Sequence, residues 1–149
     1  MSHNIETVTI FGYNDYALKT NMTGITQEDS LVTPPNNGNC INWILGHIIV
    51  TRDEMLEAMG LEKICNDLIT KAYISGSEPV KRNDAWDIEG LMQLFDQSQE
   101  IITKHMETLN LDDQIDKRKG YAGFAFHESY HIGQIGILRR MLGKESLIK

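Results

Sequence analysis

Apolar positions recur every three or four residues through four stretches of the chain, and polar segments rich in Gly, Pro or Asn separate them. That spacing matches one face of an α-helix, whereas the strict alternation of a half-buried strand is nearly absent. In the first stretch, residues 5–23, Ile5, Val8, Phe11 or Gly12, Tyr16 and Lys19 keep the period and predict a helix with an aromatic core side. A turn cluster follows at Pro34, Pro35, Asn36, Asn37 and Gly38, with Asn39 placed to cap the next helix. The second helix is expected over 40–59. Its stripe is Ile41, Ile44, Leu45, Ile48, Ile49, Leu56 and Met59, and Gly60 stands where a helix stops.

The segment 60–86 is mixed. A short helix fits within 61–73, but Ser75, Gly76, Ser77 and Pro79 cannot continue it. A connection this long in a compact domain is commonly a cover over something. Asp87 is a reasonable N-cap for a third helix to about residue 109, carrying Leu91, Leu94, Phe95, Ile101, Ile102 and Met106. After a polar link over 110–120, a fourth helix is expected from 121 to 142. Gly143 ends it, and Arg139, Arg140 and Lys144 sit near the negative end of its dipole. Four amphipathic helices of about five turns make an all-α four-helix bundle, with the long crossover between helices 2 and 3. The 149 residues suffice for a single domain, 1–149, and leave little room for a second.

Composition narrows the classes of function. The 14 basic and 21 acidic residues give a net charge of −7, and the only compact basic run is Lys117-Arg118-Lys119 beside a turn. Direct nucleic-acid binding is not expected, because it needs a basic stripe. No stretch approaches the roughly 20 apolar residues of a membrane span, and Met1 to Glu6 lacks the basic start and apolar run of a secretory signal. Cys40 and Cys65 form no CxxC pair and no disulfide framework. A cytoplasmic location is the expectation.

The chemistry lies with the histidines. His127 and His131 are four apart on the fourth helix, about 40° around its axis and ~6 Å along it, so both imidazoles can reach one point. This is how a helix offers two nitrogens to a metal. His47 stands in the most apolar part of the second helix, where a polar ring costs free energy unless it finds a partner. A metal shared between the helices would be such a partner, and Gly46 beside it lets a neighbouring backbone come close. Three neutral imidazoles leave positions open, the pattern of a catalytic site. The alternative is a metal-free bundle in which these rings make ordinary hydrogen bonds. His105 reads as core edge or surface, and His3 as disordered.

His127-Glu128-Ser129-Tyr130-His131 also spells HExxH, the zinc-peptidase string whose Glu is a general base. The metzincin extension would need Gly and His where this chain has Gln134 and Ile137. Nor is there a strand to hold an extended peptide. Glu128, about 100° around the axis from His127, is better read as an outer-layer or surface acid. Gln134 shares the face of both histidines and is placed to orient a ligand or to bridge helices. Trp43, one turn before His47, walls the pocket or packs the core. Cys40, two turns before His47, is read as a small buried apolar residue.

The run His127-Glu128-Ser129-Tyr130-His131-Ile132-Gly133-Gln134-Ile135, followed by Leu138-Arg139-Arg140-Met141-Leu142-Gly143, resembles the closing helix of the DinB-like (DinB/YfiT) superfamily. Ile41-Asn42-Trp43-Ile44-Leu45-Gly46-His47 is similar to its second-helix motif, and Phe11 to Ala17 to its first helix. The resemblance implies a DinB-type four-helix bundle, often a homodimer, that holds a divalent metal through His47, His127 and His131. The metal would be Zn, Ni or Fe, since imidazoles suit several ions. For function the resemblance implies a metal-dependent enzyme acting on a small molecule, such as an S-transferase using a low-molecular-weight thiol. A metal-dependent hydrolase and a non-catalytic metal-binding homodimer are the alternatives.

Overall fold

The computed structural model describes residues 4–148, and they contain helices and no strand. In chain order the helices are α1 (Ile5–Met22), α2 (Gln27–Ser30), α3 (Ile41–Ala58), α4 (Asp67–Tyr73), α5 (Ile88–Thr108) and α6 (Ile115–Met141). The four long helices close a ring around the core. α1 packs on α5 and α6, α3 packs on the same two, and the short α2 and α4 dock on α3.

Several boundaries follow from local chemistry. The Asp87 side chain accepts the Gly90 amide at 3.0 Å and starts α5, while Asn66 does the same for α4 through Ile69 at 2.9 Å. Gly60 and Gly143, both at φ +77°, turn the chain out of α3 and α6. The single turn of α2, absent from the apolar pattern, is held by a reciprocal capping box between Thr26 and Asp29. α3 begins at Ile41 with Cys40 as N-cap, one residue later than a cap at Asn39 implies.

Two expectations need correction. The buried face of α1 is Phe11, Asn14, Leu18, Asn21 and Met22, while Ile5 and Tyr16 are exposed. The asparagines lie inside because their amides reach α6: Asn14 Nδ2 donates to the Ala125 carbonyl (3.2 Å) and Asn21 Nδ2 to that of Ile132 (3.5 Å). An apolar count cannot see a face stabilised this way. α6 begins at Ile115 instead of 121, because residues 112–120 are all exposed and so show no core-facing period. Lys117, Arg118 and Lys119 therefore ride on a helix. Arg139 also serves a neighbour: it is buried, and its Nη1 donates to the Asn21 carbonyl near the end of α1 at 2.9 Å.

The core is layered. One apolar cluster includes Leu18, Ile48, Phe95 and Ile132, and a second includes Phe11, Met55, Ile102 and Ala125. Between these turns every long helix buries a polar residue, namely Asn14, Arg52, Ser98 and Glu128, and α3 buries Asp53 as well. Arg52 is the hub. Its Nε and Nη2 donate to the two Glu128 oxygens at 2.6 and 2.8 Å. Nη1 reaches Ser98 Oγ (2.9 Å) and the Phe95 carbonyl (3.1 Å), and Nη2 also reaches Gln99 Oε1 (2.8 Å). These bonds use every N–H of the guanidinium, which also lies 3.7 Å from the centre of the Phe95 ring.

Candidate metal centre

The packing of α3 on α6 brings His47 to the turn of α6 that carries His127 and His131. One ring nitrogen from each of the three lies within 4.8 Å of the others. His127 Nε2 is 3.2 Å from His47 Nε2 and 3.1 Å from His131 Nε2. A tetrahedral ion with metal–nitrogen bonds of about 2.1 Å sets its ligand nitrogens about 3.4 Å apart, so the two separations from His127 suit such an ion.

The outer partners decide which nitrogen carries the proton. His47 Nδ1 is 3.0 Å from the Tyr73 carbonyl at the end of α4, and a carbonyl only accepts, so Nδ1 holds the hydrogen. His131 Nδ1 lies 2.7 Å from Gln134 Oε1 and donates likewise. Both rings thus present a bare Nε2 lone pair inward. His127 Nε2–H can satisfy one of them along its own axis but not both, and its buried Nδ1 has no protein partner. Three inward nitrogens with at most one proton among them make a donor set that a cation completes.

The crossover is what places Tyr73. A side chain at Gly46 would collide with the Tyr73 ring, so glycine lets that ring lie flat on α3. Sequence spacing suggested a close backbone at Gly46; an aromatic ring lies there instead. Tyr73 Oη donates to Asn42 Oδ1 (2.7 Å) and accepts from the Trp86 amide (2.9 Å), fastening the middle and the far end of the crossover to α3. Trp43 stacks on His47 with ring centres 4.8 Å apart, and its Nε1 donates to Ser77 Oγ at 2.9 Å. Trp43 is thus a core residue, and neither cavity beside the cluster is lined by it. A second buried charge, Asp53, accepts the Ile64 and Cys65 amides at 2.8 and 2.9 Å and pins the start of the crossover.

Burial, reinforced by the neighbouring His131 and His47 rings, pushes the His127 imidazolium down from 6.5 to about 4. Burial likewise lowers His131, opposed by the hydrogen bond that its ring donates to Gln134. Between pH 6.5 and about 4 the unfolded chain therefore takes up a proton that the folded His127 refuses. The metal-free protein should have this contribution in full above pH 6.5 and lose stability as pH falls towards 4. Urea midpoints across that window, beside a His127→Leu control with a flatter profile, check the expectation. At pH 7 neither His127 nor His131 has to shed a proton to bind a cation.

Two open cavities flank the cluster. One, of about 470 Å³, touches His47 and His127 and is also lined by Thr51, Glu54, Ser75 and Phe124. The larger, of about 560 Å³, meets Gln134 but none of the three histidines, so the smaller one is the approach to the centre.

The remaining candidates separate clearly. Gln134 orients His131. Glu128 is neither a surface acid nor free to act as a base, because both its oxygens are bound to Arg52 in the core. Cys40 is buried outside the cluster, and burial raises its thiol. His105 is half-buried on α5 and takes no part, and His3 lies outside the described residues. Arg52 and Asp53 were missed by the apolar pattern. The signal was there in the gap between Ile49 and Leu56 of the α3 stripe, where charged residues stand at core-facing positions.

No family model, no curated protein and no solved structure matches the chain. No described helix is long and apolar enough to cross a membrane.

Proposed function

We propose that the chain is a DinB-like metalloprotein whose four long helices form the bundle of that superfamily, with His47, His127 and His131 holding one divalent transition metal, Zn, Ni or Fe. The convergence of three Nε2 atoms, two of them fixed as lone-pair donors by Tyr73 and Gln134, carries this reading. Such an ion supplies Lewis acidity to a small molecule bound beside it. The cavity at His47 and His127 supports an enzyme over a closed structural site, with Thr51, Ser75 and Glu54 as polar contacts and Phe124 as a wall. Following the resemblance, the reaction is transfer of a low-molecular-weight thiol to an electrophilic substrate. The outer face of α6, with Phe126, Tyr130 and Ile137 exposed, is the surface for a homodimer.

Turnover of an electrophile by the metal-loaded protein, with and without added thiol, tests the reaction. Turnover that requires thiol supports the transferase. Turnover without it favours a hydrolase, and metal binding without any turnover leaves a binding module. Gln134→Leu frees the His131 ring while keeping its nitrogen; metal affinity should fall by about 10- to 100-fold with the helix content intact. Competition with a chromophoric chelator measures this.

A further inference from the structure

The inward face of α6 is not chosen by hydrophobicity alone. Ala125, Ile132 and Ile135 are buried, yet the outside carries large hydrophobic side chains too, in Phe126, Tyr130 and Ile137. A helix apolar on both sides can turn about its axis with little loss of buried area. A slip of one residue turns it by about 100°, enough to carry His127 and His131 away from His47. Asn14, Asn21 and Arg139 tie α6 to α1, and what sets it against α3 is the buried layer, where the bidentate Arg52–Glu128 pair accepts one rotation and one height of α6. Glu128 directly follows His127, and Arg52 lies five residues beyond His47 on the same helix.

We infer that Arg52 and Glu128 are positioning residues for the three-histidine centre: the pair is the key that sets the register of α6 on α3. The Glu of the HExxH string then works by holding its neighbouring histidine in place. This inference rests on the metal-binding reading above. Buried polar groups are best attested in this use, as selectors among packings that apolar contacts leave nearly equal.

The test is the double variant Arg52→Met/Glu128→Met, which replaces the pair by apolar side chains of similar length. Such replacements commonly preserve or raise stability. The variant should keep its helix content and a cooperative melt at least as high as the parent's. Its Zn²⁺ affinity should nevertheless fall at least tenfold, and Co²⁺ added in place of zinc should give an altered visible spectrum. In the metal-free proteins, NMR cross-peaks between the His47 ring and those of His127 and His131 should be present in the parent and lost in the variant.

A double variant that binds Zn²⁺ within twofold of the parent and keeps those cross-peaks overturns this inference and leaves the metal site standing. A parent that binds no Zn²⁺ overturns the metal reading and this inference together. A double variant without a cooperative melt overturns it as well, since the pair would then be needed for folding itself.

Discussion

Alanine in place of His131 should cut metal affinity by more than 100-fold, or more than about 2.7 kcal/mol, and leave the bundle folded. The reason is the asymmetry of the ring's surroundings. His131 is half-exposed, and its nitrogens meet only Gln134 one turn on and His127 one turn back. Removing it takes away one of three inward nitrogens, and the packing lost is confined to edge contacts with the His47, His127 and exposed Tyr130 rings. In a companion variant, His127→Leu should also abolish binding and change the stability of the metal-free protein by no more than about 1 kcal/mol, because it deletes a buried ring nitrogen that has no partner together with the Nε2 that serves a neighbouring histidine. Isothermal titration and urea unfolding of the parent and both variants measure the two effects. Unchanged affinity in either variant would remove that histidine from the ligand set.

The second large effect concerns the buried layer. Glu128→Ala leaves the Arg52 guanidinium almost fully buried (2% exposed), with its two charge-assisted bonds gone and only neutral acceptors remaining. Breaking one side of a buried pair costs about 3–5 kcal/mol, a large part of the 5–15 kcal/mol typical of a whole domain. Denaturant unfolding should therefore show a steep loss of stability, with partial unfolding at 37 °C. Were Glu128 a peptidase-type general base instead, the same substitution would abolish activity and barely move the unfolding midpoint. A loss under about 1 kcal/mol would contradict the structural role given to the pair.

The long helices were legible because their stripes are long and their ends carry local signals such as Asp87, Gly60 and Gly143. The misreadings share a cause. α1 buries asparagines that earn their place by donating to α6 carbonyls, and α6 opens with turns that touch no core, so neither shows its position in an apolar count. The three histidines were visible from helical spacing and from the oddity of a polar ring among Trp43, Ile44 and Ile48. Their outer partners were only half visible. Gln134 lies one turn from His131 and shares its face, whereas the Tyr73 carbonyl arrives from a different helix through contacts at Gly46 and Asn42 that no local pattern encodes. The Arg52–Glu128 pair is likewise a meeting of distant positions.

The central claim is a metal held by His47, His127 and His131, and elemental analysis of untagged protein tests it most directly, beside a His47→Ala control prepared in parallel. The expected result is about one equivalent of a first-row transition metal per chain, absent from the control, whose helical spectrum should match the parent's. A parent that carries no metal even after reconstitution, or a control that carries as much as the parent, would contradict the account.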